Sequence, residues 1–592
     1  MQCAQAVDAE FTATAQNQPT LEAICQRLDC LPLAIELCAA RIDLHAPAQL
    51  LAQLQDHRLD LLVDGARDLP PRQRTLRLAI GYSYALLNEA EQLLLRTLGV
   101  FASGFAIDAV EALAVDKLES STVQTTLHAL IGKSLVRAET TARDAPRFLL
   151  LETIREFALE QLTANGETEQ LRQRHADYFC GRAALSPLGL AGQAASRQLD
   201  QLERDHDNLR LALQWLIEHD ARAAQGMVGA LCDFWYIRGH YGEGRRWAKA
   251  ALAANHVLSR QRAAALYTGS RLAFTVDDYD GAWALSEESL AIYRQLEDLA
   301  GIATVLHDVG WIAYQMGRYA EAHLIFDENV AACRRLGDKQ KLARALNASA
   351  TVYVLDGVAE QYGLARSHFA ENLQLAQAID WQEGVAYAWQ GSAMLDQKLG
   401  NYRQAMLHLE QALVIFRTLG FQRNEALMLR GISEAARLDN QLTLAEARAQ
   451  AALYLYQQLQ VPWGIMATTL ELGMIARVNG NWAAAEKYHQ QSLQIAHEQN
   501  DLKTVAVNLA SLSGVCLAQE QPYQAAQLLA LAQQLFDRLP AFLPPGDVTD
   551  FAHLQEDLRA TLGEEQFALA WQQGAQAELA ETLRATLATI AG

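Results

Sequence analysis

A repeat of about forty residues is the feature that most constrains how this chain can fold. A mostly aromatic position recurs with a small residue three positions later, and successive first positions are 38, 40, 43, 40, 40, 40 and 41 residues apart. The eight pairs are Tyr241/Gly244, Tyr279/Ala282, Tyr319/Ala322, Tyr362/Ala365, Tyr402/Ala405, Leu442/Ala445, Trp482/Ala485 and Tyr523/Ala526. So regular a spacing predicts a solenoid of stacked supersecondary units.

Two more markers indicate what each unit contains. A mostly small residue lies nine positions before the aromatic one, and only Tyr353 breaks this marker. An aliphatic residue lies eleven positions after the aromatic one, except at Gln534. Small residues let two helices approach closely, and a glycine before several aromatics (Gly239, Gly317, Gly400, Gly480) permits a tight turn. Each unit is therefore predicted to be a helical hairpin.

This frame, as in GWIAYQMGRYAEA at 310–322, resembles the tetratricopeptide repeat (TPR), with a period longer than the usual one. The resemblance implies that the first helix of each hairpin lines a concave face, where partners usually bind. The frame places twelve residues near that face: Tyr267, Arg271, Phe274, His307, Trp311, Tyr314, Tyr387, Gln390, Met394, Arg430, Glu434 and Arg437. Their mix of aromatic, amide and charged groups suits a peptide or a small molecule.

The composition favours a mostly α protein that is neither membrane-bound nor secreted. Of the 592 residues, 51% are hydrophobic and 20% charged, and no run of 18 apolar residues occurs. The N-terminus lacks the pattern of a secretory signal, and the eight cysteines form no CxxC pair, so we expect reduced thiols in the cytoplasm. The net charge of −20 argues against direct binding of nucleic acid.

The region before the repeats predicts a winged-helix domain. Two helical stretches are predicted within 69–105, the second after the N-cap candidate Asn88, and further helices start near Ile107 and Thr122. Two short apolar runs, 135–136 and 148–151, flank a polar loop and predict a β-hairpin, which the helix 153–162 closes.

Five segments in this order resemble one family: RLDCLPLAIELCAARI, LPPRQRTLRLAIGYSYALL, FLLLETIREFALEQL, RHADYF and LERDHDNLRLALQWL. They resemble the back half of STAND-class ATPases of the LuxR/AfsR-type transcriptional regulators. That family continues from a P-loop ATPase module through a winged helix to a TPR sensor. The resemblance implies that Leu31, Pro32 and Leu33 are a remnant of the part of the module that lies against the nucleotide.

The chemistry of the ATPase itself has no counterpart in the sequence. A phosphate-binding loop needs G-x-x-x-x-G-K-[ST], and the lone Gly132-Lys133-Ser134 has Leu127 where the first glycine should stand. About 26 residues precede the LPLA helix, too few for an NTPase domain of roughly 100–200 residues. The sequence contains no HExxH, GxSxG or GxGxxG motif, and its histidines form no cluster with metal-ligand spacing. His206 lies between two acidic residues and is predicted to be exposed to solvent at the start of a helix.

These features predict a non-catalytic regulatory protein with no catalytic or metal residues and no cofactor, since ATP or ADP belongs to the full-length family. The predicted parts are an NTPase remnant (1–68), a winged helix (69–165), connecting helices (166–230), about eight TPRs (231–545) and C-terminal helices (546–592). A protein or small-molecule inducer is expected on the TPR array, and a separate NTPase or DNA-binding chain is a second candidate partner. Two alternatives remain: a DNA-binding regulator, or an ATP-binding regulator completed by a missing N-terminal domain.

Overall fold

The computed structural model describes residues 14, 17–27, 35, 38–39, 46–56, 76–114, 117–139, 146–185, 193–538 and 545–588. The chain divides into two compact units, Met1–Leu296 and Glu297–Gly592, which we call unit 1 and unit 2. Helices dominate the described residues of both units, so the predicted mostly α class with a winged helix and TPR hairpins is confirmed.

Within its described residues, unit 1 contains one short β-hairpin among its helices. The helices are α1 (Gln18–Arg27), α2 (Pro47–Asp56), α3 (Leu76–Ala85), α4 (Glu89–Leu98), α5 (Ile107–Ala114), α6 (Ser120–Gly132), α7 (Glu152–Ala164), α8 (Thr168–Ala184), α9 (Gln193–Arg204), α10 (His206–His219), α11 (Ala221–Ala230), α12 (Cys232–Arg238), α13 (Tyr241–Ala254), α14 (Arg260–Phe274) and α15 (Tyr279–Gln295). The strands β1 (Arg137–Glu139) and β2 (Arg147–Leu149) pair antiparallel, with Ala138 opposite Phe148.

The winged helix forms where the sequence predicts it, with local differences. Asn88 caps α4 through a capping box: its side chain accepts from the Glu91 backbone N–H at 2.9 Å, and the Glu91 carboxylate accepts from the Asn88 N–H at 3.0 Å. The first strand begins at Arg137, after the predicted apolar run of Leu135 and Val136, and both of those residues are buried. Phe105 adds an isolated bridge to Phe148 and stacks on Phe101, with ring centroids 4.6 Å apart.

Unit 2 contains six consecutive helical hairpins followed by three C-terminal helices. Its helices are α16 (Leu299–Gln315), α17 (Tyr319–Leu336), α18 (Lys339–Leu355), α19 (Tyr362–Ala378), α20 (Gln382–Lys398), α21 (Tyr402–Leu419), α22 (Gln422–Leu438), α23 (Leu442–Gln458), α24 (Pro462–Val478), α25 (Trp482–Glu498), α26 (Leu502–Ala518), α27 (Pro522–Arg538), α28 (Pro545–Leu562), α29 (Glu564–Gln576) and α30 (Leu579–Ala588). The two helices of each hairpin pack on each other, and the second helix also packs on the helix that follows it, so the hairpins are stacked along unit 2.

The predicted turns within the hairpins are confirmed. The second helix begins at the repeated aromatic position in most repeats, and Gly317, Gly400 and Gly480 have φ of +75°, +76° and +71° in the turns before it. Non-glycine residues adopt the same left-handed conformation in the turns between hairpins. These are Glu297, Asp380, Gln460 and Asn500, which the sequence pattern did not reveal.

The described helices include none that is long and apolar enough to cross a membrane. The cysteines within the described residues are free thiols: Cys25, Cys38, Cys180, Cys232, Cys333 and Cys516.

Candidate functional site

The predicted binding residues of unit 2 lie on three first helices. We call them the first-helix face: His307, Trp311 and Tyr314 on α16, Tyr387, Gln390 and Met394 on α20, and Arg430, Glu434 and Arg437 on α22. All are half-buried except Arg437, which is buried. Partly exposed side chains that are also packed offer a partner contact area at a low cost in conformational entropy.

The α16 part of the face is aromatic. The Trp311 ring lies 6.1 Å from the Tyr314 ring and 5.5 Å from the buried Phe326 of α17, while His307 lies 6.4 Å from Phe326. Burial raises the pKa of Tyr314 to about 12, so its phenol is neutral at physiological pH. These side chains form an apolar surface with polar edges.

The α20 part combines an aromatic ring with an unsatisfied amide. Tyr387 packs against Phe416 at 5.4 Å, and its hydroxyl accepts a hydrogen bond from the Asn424 side chain at 3.4 Å. The side-chain oxygen of Gln390 is shielded from water and has no hydrogen-bond partner among the described residues. A buried polar atom without a partner is uncommon, and a bound ligand or a water molecule can supply the missing bond.

The α22 part carries charge. The Arg430 guanidinium lies 5.5 Å from the ring of Trp463 and 3.7 Å from the Glu434 carboxylate. Arg437 instead pairs with Glu471 at 2.9 Å, and the two side chains are only 5% and 7% exposed. Arg437 is therefore committed to an internal ion pair, whereas Arg430 and Glu434 lie at the surface of the face.

Lys398, which the sequence pattern did not single out, adds a titratable group to this part of unit 2. Burial lowers its pKa to about 8, although the nearby Glu434 carboxylate opposes that shift. The reason it was missed is that it lies in the last turn of α20, outside the repeat offsets that selected the face.

The three predicted residues of unit 1 pack within that unit. Arg271 pairs with Asp233 at 2.7 Å and lies 4.3 Å from the Tyr236 ring, and Phe274 lies 5.7 Å from the ring of Tyr279. Tyr267 is half-buried on α14. These contacts link α14 to α12 and α15.

The residues that resemble a nucleotide-contact remnant, Leu31, Pro32 and Leu33, lie outside the described residues. The Gly132-Lys133-Ser134 triplet lies at the end of α6, whereas the corresponding residues of a phosphate-binding loop open a helix. Lys133 donates to both Glu91 carboxylate oxygens at 2.6 Å, and this bond holds the pKa of Glu91 below its ordinary value. The lysine therefore has a structural role in the winged helix.

A cavity near the C-terminal helices of unit 2 was not foreseen. It measures about 430 Å³ and lies between the late repeats and α28. Its lining is Arg477, Val478, Trp482, Gly514, Leu517, Ala518, His553, Leu554 and Asp557. The polar residues of α28 carry no periodic signal that would have connected them to α24 and α26.

The RDHDNL segment joins the winged helix to the helices that follow it. Asp205 pairs with Arg147 of β2 at 2.8 Å. The side-chain oxygen of Asn208 accepts from the Ala102 N–H at 2.9 Å, and its amide donates to the Gly104 carbonyl at 3.3 Å. These bonds tie the start of α10 to the loop between α4 and α5.

The prediction that His206 is solvated is wrong. Its residue exposure is 8%, and its ring lies 5.1 Å from Phe234 and 4.6 Å from His240. Burial lowers its pKa below the ordinary value, so the imidazole is neutral near pH 7. Glu203, His206 and His240 bring their donor atoms within 4.8 Å of one another, a grouping in space that the spacing of the histidines in the sequence does not reveal.

The exposed side of α6, where a winged helix would read DNA, carries few cations. It presents Gln124, Thr125 and His128, and Gln124 donates to Glu111 at 3.2 Å. Lys133 and Arg147 are paired with Glu91 and Asp205. Contacts to phosphate come mainly from Lys and Arg side chains, and Arg137 of β1 is an exposed arginine of the hairpin.

Comparison with known proteins supports the presence of a winged helix and of TPRs in this chain. The family model of the winged helix-turn-helix domain matches residues 87–163, and that of the tetratricopeptide repeat matches 302–336. "Putative HTH-type transcriptional regulator Rv0890c" of Mycobacterium tuberculosis is 33% identical over 395 residues, which are 66% of this chain and 40% of the relative. Over these residues the chain is similar to a putative HTH-type transcriptional regulator. The predicted winged helix and TPRs, and the predicted resemblance to a transcriptional regulator, are thereby confirmed.

The chain spans about 40% of the length of these relatives. A shorter match is "Uncharacterized protein Rv0894" of the same species, 36% identical over 174 residues, 29% of this chain and 44% of the relative.

Two solved structures are similar at low identity. A STAND protein with a tetratricopeptide repeat sensor from Pyrococcus horikoshii is 17% identical, with a TM-score of 0.43 over 79% of this chain and 72% of the other. A Rap protein complexed with competence and sporulation factor is 12% identical, with a TM-score of 0.42 over 63% of this chain and 98% of the other. Scores of this size do not establish a common fold.

Proposed function

We propose that this chain is the non-catalytic, regulatory part of a STAND-type transcriptional regulator, and that unit 2 binds a protein or small-molecule inducer on its first-helix face. The observation that carries the proposal is the composition of that face. Half-buried aromatics, the surface pair Arg430 and Glu434 and the unpartnered oxygen of Gln390 share one side of the first helices. Packed aromatic and arginine side chains of this kind dominate the energetics of protein interfaces.

A peptide segment of a partner protein is the form of inducer that this face suits best. The face extends over α16, α20 and α22, and extended surfaces with successive side-chain contacts fit a peptide. A small-molecule inducer would fit the cavity of about 430 Å³ between the late repeats and α28 better, since small ligands prefer concave sites of that size.

The winged helix is proposed to connect parts of the regulator and not to read DNA itself. The bonds of Asp205 and Asn208 to the winged helix support an internal role, as does the pairing of Lys133 and Arg147. DNA binding, which the names of the relatives suggest for those proteins, would then belong to a different part of a full regulator or to a partner chain. The expected cytoplasmic location and the absence of enzyme activity stay predictions.

The ATP-binding alternative is tested by calorimetry of the full chain with ADP. We expect no heat of binding, because the sequence contains no phosphate-binding loop. Saturable binding of ADP would favour a regulator that retains a nucleotide site.

The binding proposal is tested by selecting peptides from a random phage-displayed library on the full chain. We expect the selected peptides to lose at least about tenfold in affinity for the variant Tyr387→Ala/Arg430→Ala, which removes two anchors of the face. The matched control is Tyr454→Ala on α23, since Tyr454 is 62% exposed and lies on a second helix. Equal affinity for wild type and the double variant would contradict the proposal.

A further inference from the structure

Three side chains with metal-binding donors meet in unit 1, away from the first-helix face. Glu203 lies near the end of α9, His206 is the first residue of α10, and His240 lies between α12 and α13. Gly239, with φ of +79°, allows the turn that brings His240 back towards α9. Three separate segments thus supply one donor each.

The distances between the donors match the size of a small metal ion. His240 Nε2 lies 3.1 and 3.2 Å from the two Glu203 carboxylate oxygens, and His206 Nδ1 lies 3.9 Å from Glu203 Oε1. A tetrahedral zinc ion with bonds of about 2.0–2.2 Å holds its ligands roughly 3.3–3.6 Å apart. All three donors lie within 4.8 Å of one another, so side-chain movements of up to about 1 Å would bring them into coordination.

The surroundings of His206 leave its ring available as a ligand. The residue is 92% buried, and its Nε2 atom is shielded from water without an aligned hydrogen bond, although a Glu243 oxygen lies 3.2 Å away. A nearby carboxylate that orients the ring of a histidine ligand is a common feature of zinc sites. Because Nε2 faces Glu243, the ring nitrogen left to bind an ion is Nδ1, which lies 3.9 Å from Glu203 Oε1.

The nearby cations do not compete for the site. Arg210 pairs with Glu243 at 2.6 Å and with Asp207 at 2.8 Å, and Arg238 pairs with Asp200. The Glu203 and His240 side chains are 41% and 29% exposed, so an ion can enter from solvent and a water molecule can complete the coordination.

We propose that Glu203, His206 and His240 bind one Zn²⁺ ion, with Glu243 orienting His206. Two imidazoles and one carboxylate favour a borderline transition metal over Mg²⁺ or Ca²⁺, which prefer oxygen ligands. The bound ion would join the α9–α10 boundary to the α12–α13 turn, and so connect the helices after the winged helix to the first TPR hairpin. The site is independent of the inducer site proposed for unit 2.

The test is isothermal titration of the full chain with Zn²⁺, alone and in variants. Wild type should bind one Zn²⁺, and His240→Ala and Glu203→Gln should each lose at least about tenfold in affinity. His256→Ala is the matched control, because His256 is exposed on the loop after α13 and lies outside the cluster, and it should bind like wild type.

Two further measurements separate loss of the site from loss of the fold and from binding elsewhere. Zn²⁺ should raise the melting temperature of wild type and not that of Glu203→Gln, whose exposed side chain can change without disturbing the core. Co²⁺ substitution should give tetrahedral absorption without thiolate charge transfer. The proposal would be overturned if wild type did not bind one Zn²⁺ per chain. It would also be overturned if His240→Ala and Glu203→Gln bound Zn²⁺ as tightly as wild type, or if the Co²⁺ spectrum showed thiolate charge transfer.

Discussion

At the residue scale, the hairpins of unit 2 balance side-chain volume across one contact between their two helices. The small residue nine positions before the repeated aromatic faces the residue seven positions after it. Gly310 faces Phe326 and Gly473 faces His489, so that a Cβ on either glycine would lie 2.6 or 2.7 Å from the opposing ring. The glycine makes room for the ring, and the ring fills the space that the glycine leaves.

Substituting Gly310 tests this balance. We expect Gly310→Ala to lower the free energy of unfolding of its hairpin by about 1–3 kcal/mol, because the added methyl group overpacks the contact with Phe326. Hydrogen exchange of amides in α16 and α17 measures the change. The control is Gly363→Ala near the start of α19, where an added Cβ would meet no atom of another part of the structure within 4 Å. This substitution should raise the free energy of unfolding by up to about 1 kcal/mol. Equal effects of the two substitutions would disprove the packing explanation.

The same contact makes unit 2 sensitive to acid. His489 is buried and its side chain hydrogen-bonds with Asn508 at 3.0 Å, and burial lowers its pKa to about 4. In the unfolded chain its pKa is about 6.5, so the unfolded state binds more protons between these values. Stability is therefore full above about pH 6.5 and is lost as the pH falls towards 4.

The expected loss for His489 is about 2 kcal/mol between pH 7 and pH 5. Hydrogen exchange of amides in α25 and α26, corrected for the intrinsic rate at each pH, measures it. His489→Gln should lose this pH dependence whatever its absolute stability. A variant that keeps the full dependence would show that another group titrates.

At the element scale, the hairpins follow from the sequence, whereas the polar contacts between them do not. The forty-residue period and the glycine turns predict where α17, α21 and α25 begin, since backbone geometry at a turn limits the residue type. The ion pair of Arg437 with Glu471 joins α22 to α24 across 34 positions, and no periodic signal marks it. His206 is buried against Phe234 of α12 and His240 in the turn after it. The two acids beside His206 in the sequence therefore led to the wrong prediction of a solvated side chain.

The prediction for Arg437 separates a structural role from a ligand-binding one. Arg437→Met should lower the free energy of unfolding by about 3–5 kcal/mol, because it leaves Glu471 buried without this ion-pair partner. The double variant Arg437→Met/Glu471→Leu should recover most of the lost free energy of unfolding. Hydrogen exchange of amides in α22 and α24 measures both changes. If the single variant is as stable as wild type, the pair is not structural, and Arg437 would be available to a partner.

At the scale of the whole molecule, charge distinguishes the proposed regulatory role from direct DNA binding. The net charge is −20, and the exposed side of α6 offers neutral polar groups. We expect the full chain at about 10 μM to give no shift of a pool of genomic duplex fragments at about 50 mM salt, where electrostatic binding is strong. A shift that weakens as salt is raised would support the DNA-binding alternative.

The most direct test of the central claim is hydrogen exchange of the full chain with and without a peptide selected on it. Our account predicts that the peptide protects amides of the first helices that carry the face, α16, α20 and α22, and leaves the winged helix unchanged. It predicts that this protection disappears in Tyr387→Ala/Arg430→Ala and persists in Tyr454→Ala. Protection confined to other helices, or retained in full by the double variant, would contradict it.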